Sequence, residues 1–394
     1  MPTFSKNNLS KNLTSIHQSL IVMKMFIVGI ISVVVLVFIG AGFALFANKS
    51  AKEIPEGESF VAEDFPNALY PIRVKGKWGY MNSKKEIVIE CKFDLADDFN
   101  EGIAIVEREI TDKENPNDRL FKGFMDEKGM MITDFKYERA YPFSDELAHV
   151  MKDGKHGYVD KTGKEVIPLQ YEDAAMFSEG LACVKVNGKN GFINKQGKMV
   201  ITPLYERACN VSTFSDGLAP VYTTYEDGPA GYIDHSGKMV IPAIYEFVDK
   251  FSEGLAMVRP LDSNAFGYID KKGEWIIEPQ FDMSLGFYEG VATVNEKNTN
   301  GSKSFGIIDK TGKKIAQQMQ YNFVGIFKEG LAAFESRDHT WGYIDRSGKE
   351  VIPAGYASPN FFRNGLARME TGSLFTKLKI IYIDKKGQVV WKEK

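Results

Sequence analysis

After residue 64 the chain alternates apolar and polar positions in short runs, and the same runs return at regular spacing. In Leu181-Ala182-Cys183-Val184 and its counterparts the second and fourth residues stay small and apolar. The third is Ile105, His149, Cys183, Pro220, Met257, Thr293, Ala333 or Arg368. A period of two is the mark of a strand with one face on a core, so this run predicts a leading strand whose other face is permissive. Gly-Tyr-Ile-Asp, at Gly231 to Asp234, Gly267 to Asp270 and Gly342 to Asp345, predicts a central strand. A polar loop such as Asp160-Lys161-Thr162-Gly163-Lys164 then leads to a closing strand, Glu165-Val166-Ile167. Pro168, Pro203, Pro242, Pro279 and Pro353 stand near the end of that strand, where a missing N–H costs little. Tyr171 to Phe177 predicts a fourth, short strand.

The aromatic that opens each copy is Phe65, Phe99, Phe143, Phe177, Phe214, Phe251, Phe287, Phe327 or Phe362, which divides the chain into nine units of 34 to 44 residues. Phe177 to Val184 is seven residues, and the same interval recurs in every copy. The connection between leading and central strands is the loose one: seven at Val150 to Gly157, ten at Val221 to Gly231, twelve at Val294 to Gly306 and seventeen at Val106 to Gly123. Length varies in loops and not in packed elements, so this connection faces solvent.

One unit cannot bury its apolar face alone, so the units share a core. The expected fold is an all-β tandem repeat array, either propeller-like or an open β-solenoid or toroid. One transmembrane α-helix is expected to precede it. Met25 to Ala47 runs 23 residues without a charge, more than the roughly 20 needed to cross a bilayer. Lys6, Lys11 and Lys24 precede it with no acid, and the positive-inside rule keeps that end cytoplasmic. The expected divisions are a cytoplasmic tail at 1–24, a signal anchor at 25–47, a polar stem at 48–64 and a repeat domain at 65–394. A cleaved signal peptide is the rival reading, but the apolar run exceeds the usual 7–15 residues of such a core.

The pattern aromatic-G-Y-I-D-x-x-G-K-x-V-I-P-x-Y-[DE], with F-x-E-G-L-A-x-V, resembles the bacterial WG-repeat family, also called KWG repeats. The Trp-Gly pair itself survives at Trp78-Gly79 and Trp341-Gly342. Elsewhere the Trp position holds Lys122, His156, Asn190, Ala230, Phe266 or Phe305. The resemblance implies tandem β-repeats, frequent export or surface attachment in bacteria, and no common catalytic residue set.

Composition narrows the function by exclusion. With 49 Lys+Arg against 52 Asp+Glu the net charge is -3, so nothing supports nucleic-acid binding. A 44% hydrophobic share with 28 Phe and 17 Tyr excludes a disordered chain. Cys91, Cys183 and Cys209 allow at most one intramolecular bridge.

The acids of F-x-[DE]-G, Glu101, Asp145, Glu179, Asp216, Glu253, Glu289 and Glu329, read first as turn residues, with a cation-binding ladder as the alternative. The Asp or Asn opening each polar loop reads as a turn acceptor for N–H groups two residues on. His149 and His156 lie on neighbouring predicted strands, but no metal-binding motif accompanies them, and no cofactor, metal or catalytic residue is expected. The recurrent Tyr or Phe of the central strand reads as unit-to-unit packing before a sugar platform.

Residues that break the repeat are the better ligand candidates: the loops Glu109 to Leu120, Thr223 to Pro229, Asn295 to Ser304 and Thr371 to Lys379. Glu109, Asp112, Glu114, Asp118, Tyr225, Glu226 and Asp227 are the candidate ligand-binding residues. The expected function is that of a membrane-anchored, extracytoplasmic, non-enzymatic binding or scaffold protein, recognising a protein or envelope polysaccharide through the variable-loop edge. The alternative is a propeller-type carbohydrate-active enzyme using loop carboxylates, which would need two of them roughly 5 to 9.5 Å apart.

Overall fold

The computed structural model describes residues 65–112, 115–206, 213–224, 228–297, 303–371 and 378–394. The tail 1–24, the Met25 to Ala47 run and the stem 48–64 lie outside the described residues. Every described element is a strand. Among the described residues no helix is long and apolar enough to cross a membrane.

A representative unit joins the short strand Asp173–Ala174, the leading strand Leu181–Val186, the central strand Lys189–Asn194 and the closing strand Met199–Tyr205, all antiparallel and in that spatial order. The described strands form eight sheets in a propeller-like array, four of them four-stranded, three three-stranded and one six-stranded. The last arises because Met239–Val248 closes one meander on Ala230–Ile233 and its last residues then pair with Ala256–Pro260 of the next.

The central-strand glycine has a steric cause. A Cβ on Gly191 would sit 2.5 Å from the Ile201 carbonyl oxygen, because the closing strand bulges toward it between Ile201 and Tyr205. Where the last unit places Ile381 instead of glycine, the closing strand Val389–Lys392 pairs Ile381 with Lys392 and Tyr382 with Trp391 in straight register. The polar loops form as expected: Asp160 Oδ1 accepts the N–H groups of Thr162 and Lys164, and Asp234 and Asp345 repeat the arrangement. Gly163 supplies the left-handed turn residue at φ 82°.

The permissive face of the leading strand is not a solvent face. Ile105, His149, Cys183, Met257 and Thr293 are all buried. Each sheet is packed between two others, so both faces of its leading strand are covered. Leu181, Cys183, Phe192 and Ile201 of one unit meet Phe214, Ala219, Val221 and Ile233 of the next. Variation at the third position therefore reflects a different neighbour rather than exposure. The central-strand aromatics pack between units as expected. The hydroxyls of Tyr80, Tyr158, Tyr232 and Tyr268 also donate to the carbonyls of Asp97, Ala175, Asp249 and Leu285, each seventeen residues on.

The two ends of the array meet. In other units the carbonyl of the third leading-strand residue accepts an N–H from the segment after the short strand, as Cys183 does from Ala175. In the first unit the equivalent Pro71 carbonyl accepts the Tyr382 hydroxyl of the last unit at 2.8 Å. Arg73 binds the Glu393 carboxylate through Nε and Nη2 at 2.9 and 2.8 Å. Tyr70 donates to the Asn364 carbonyl at 2.7 Å. One apolar cluster contains Ile72, Trp78 and Tyr80 together with Leu366, Ile380 and Tyr382. Of the two expected geometries, these contacts form the closed one, which leaves no unpacked end.

Candidate functional site

Strand order puts the F-x-[DE]-G turns and the D-x-x-G loops on one edge of every sheet and the variable connections on the other. On the turn edge, Glu179 and Gly180 have φ of 53° and 83°, while Ser178 and Leu181 exchange backbone hydrogen bonds. This is a two-residue hairpin turn with both central residues left-handed.

The carboxylates on these turns are consumed between units. Asp145, Glu179, Asp216, Glu253, Glu289 and Glu329 accept the N–H groups of Gly180, Gly217, Gly254, Gly290, Gly330 and Gly365 in the following unit. The polar loop of that unit adds a cation: Lys161 to Glu101, Lys310 to Glu253, Arg346 to Glu289 and Lys385 to Glu329, at 3.0, 3.0, 2.6 and 3.2 Å. His235 occupies that place beside Glu179 at 3.3 Å. Partial burial opposes ionisation of Glu289, but the Arg346 guanidinium and the N–H groups of Gly330 and Glu329 outweigh it and hold the carboxyl below its ordinary range. Lone pairs committed to amides and ammonium groups are not offered to a metal, so the ladder is a set of latches.

His149 and His156 do come together. Their rings face each other with Nε2 and Nδ1 2.7 Å apart, and Tyr141 stacks on His149 with centroids 4.6 Å apart. Burial, followed by the neighbouring His156 and Arg139, pushes His149 down to about 3, and burial lowers His156 as well. The pair is therefore neutral at pH 7, one ring donating to the other. Among the described residues no group of three or more potential metal ligands exists.

The candidate loop residues divide. Glu109 to Leu120, expected as a loop, is largely a hairpin arm in which Glu109 pairs with Leu120, Ile110 with Arg119 and Asp112 with Asn115. A long connection can be satisfied by extending both flanking strands, and here it is. Glu109 is exposed, and its N–H is held by Asp94 Oδ2 at 2.9 Å. Asp112 and Asp118 lie in the arm's strands, but their side chains, together with Glu114, Tyr225, Glu226 and Asp227, fall outside the described residues. Cys183 is disulfide-bonded and Cys91 is free; Cys209 lies outside the described residues.

A shallow depression lies where the ends meet, lined by Tyr70, Asp98, Phe361, Arg363, Asn364 and Arg368 among others, and no single repeat unit marks it. Two residues beside it depart from the repeat. The last unit carries Asn364 where seven others carry an acid, and Arg368 where most carry a neutral residue. The guanidinium of Arg368 lies 5.3 Å over the ring of Trp78. Nearby Asp97 is raised to about 6 by crowding of the surrounding protein and by Glu107, with Arg368 opposing.

A family model described as WG containing repeat matches residues 78–109, 123–155, 157–189, 191–223, 231–261, 266–299, 305–338 and 341–375. Its eight matches start at the central strand, which leaves the first leading strand and the last two strands at the ends. Among solved structures the chain is similar to that of a eukaryotic initiation factor, at 10% identity over 83% of this chain and 95% of that one, with a TM-score of 0.60. It also matches BamB from Moraxella catarrhalis at 11% identity over 81% and 94%, TM-score 0.39. The WD40 beta propeller domain of Doa1 matches at 12% over 58% and 88%, TM-score 0.32. At these identities the likeness concerns the fold alone, and it rests on the first. No curated protein matches the chain.

Proposed function

Because the chain belongs to the WG-repeat family, we propose that it is a non-enzymatic binding scaffold whose closed array presents the variable connections to a protein partner or an envelope polysaccharide. One observation carries this reading. The turn edge is committed to unit-to-unit latches, whereas the connections on the opposite edge differ in length from unit to unit and take no part in them. A rigid array with variable loops on one edge is a common way to build a binding surface.

In this proposal residues 1–24 are a cytoplasmic tail, 25–47 a signal anchor and 48–64 a stem that holds the repeat domain, 65–394 in about nine units, outside the cytoplasmic membrane of a bacterium. The disulfide at Cys183 supports that location, since such bonds persist in oxidising compartments. No specific observation favours the catalytic alternative.

The test is co-purification of the full chain from membranes in mild detergent. Replacing residues 108–121 by the tight Asn187-Gly188 connection of another unit is expected to remove the co-purifying partner while leaving the unfolding midpoint within a few degrees. Retention of the same partner by that variant, and by one with 223–229 likewise shortened, would contradict the loop-edge reading.

A further inference from the structure

In most units something blocks the free side of the closing strand, the last strand of its sheet. Pro168, Pro242 and Pro353 directly follow the buried isoleucine of that strand, and Pro203 and Pro279 stand one residue later. A proline removes an N–H that an incoming strand would need. Lys314–Met319 has no proline but is bent by Gln318 at φ 58°. Val389–Lys392 has only four residues, and the second unit has isolated bridges in place of a closing strand. The first unit differs. Ile87–Phe93 is seven residues long, has no proline, and among the described residues pairs with the central strand Lys77–Asn82 alone. Ile87 and Val88 are 55% and 48% exposed. Met130, also exposed, lies beside them because Gly129 packs on Ile89.

We propose that this strand pairs antiparallel with the same strand of a second copy of the chain, about a two-fold axis at Ile89. The choice of occupant follows from the charges, since Glu86, Glu90 and Lys92 are all exposed. Centred on Ile89, the pair sets Glu86 opposite Lys92 of the second copy, twice by symmetry, and Val88 against the aliphatic carbons of Glu90. Centring on Glu90 would oppose two carboxylates on the axis. Centring on Val88 would oppose Glu86 to Glu90 and Lys84 to Lys92. Like charges directly opposite are unfavourable, so the strand accepts its own copy in one register and rejects the neighbouring ones. A centre at Cys91 would pair Glu90 with Lys92 but leave the exposed Ile87 and Val88 beyond the overlap. The free side of this strand is neither the turn edge nor the loop edge, so the pairing does not depend on the proposed loop-edge function.

The full chain would be measured by sedimentation equilibrium in a density-matched detergent. One strand pair is a small interface of the weakly associating class, so a monomer–dimer equilibrium is expected in the micromolar range. Glu90→Pro installs the residue that other units carry after the isoleucine; it should raise the dissociation constant about tenfold or more, with the unfolding midpoint unchanged. Lys92→Glu should weaken association by a similar factor, and Glu86→Lys/Lys92→Glu should restore it to within about threefold of wild type. Should Glu90→Pro fail to fold, Lys92→Glu and the exchanged pair decide. A chain that stays monomeric up to about 100 µM overturns the proposal, being weaker than the interface class allows. So does a dimer indifferent to Glu90→Pro, which would be held elsewhere in the chain, or an exchanged pair that fails to restore association.

Discussion

The same residue recurs at equivalent places in this chain for reasons that can be separated by substitution. Gly191 is required by space rather than by backbone angle: its Cβ would meet the Ile201 carbonyl oxygen at 2.5 Å, whereas a Cβ on Gly355 would meet nothing within 4 Å. Gly191→Ala should therefore destabilise by about 3 kcal/mol or more, the upper range of overpacking. Gly355→Ala should stay within about 0.5 kcal/mol. Urea denaturation of both variants checks the contrast. The central-strand tyrosine combines two contributions. Phe124 and Phe192 stand at the same position, so the ring alone fills the space. Tyr268→Phe should then lose only the hydroxyl's bond to Leu285, about 1 kcal/mol. A loss above about 3 kcal/mol would mean that the ring had moved.

At the scale of elements, the strands were legible because their alternation is strict. The D-x-x-G loops were legible because Asp and Gly at fixed offsets permit few turns. The fate of the third leading-strand position was not. A period of two says that two faces differ, but His149 and Cys183 look permissive in one chain and are buried because a second sheet covers them. The acids were legible as turn residues. That Glu329 would reach Gly365, 36 residues on, depends on how units stack, which no local pattern encodes. The depression where the ends meet was less legible still, since Arg368 and Asp98 are far apart in sequence and meet only through closure.

The histidine pair makes a pH prediction at this scale. His149 is held near 3 in the folded protein against 6.5 when free, so below pH 6.5 the unfolded chain binds the proton that the folded one refuses. Stability is complete above that pH and falls as pH drops toward 3, by up to about 1.4 kcal/mol per pH unit for one group. Asp97 acts in the opposite sense. Raised to about 6 from 3.8, it contributes stability below pH 3.8 that is lost as pH rises through 6. The pair's share is therefore read as a difference from His149→Met/His156→Phe, which installs the Met257 and Phe266 found in another unit. Denaturation at pH 7 and pH 5 should show the wild type losing more stability than the double variant on acidification. Equal losses would contradict burial of a neutral pair.

For the molecule as a whole, the latches imply that units are stabilised by neighbours rather than singly, as in other repeat arrays. In the present case the first and last units are also neighbours. At that junction the Pro71 carbonyl takes the Tyr382 hydroxyl where the corresponding carbonyl of other units takes a backbone amide of its own sheet, and Arg73 and Tyr70 add side-chain bonds to the last unit. The most direct test is a distance measurement by pulsed electron resonance between nitroxides at Lys75 and Lys392. Both are exposed near the Arg73 and Glu393 contact, and an unnatural amino-acid linkage would leave the cysteines untouched. A closed array predicts a single narrow, short distance that Arg73→Ala/Tyr382→Phe broadens. A long or broad distribution in the wild type would mean that the ends do not meet, and the closed scaffold would have to be abandoned.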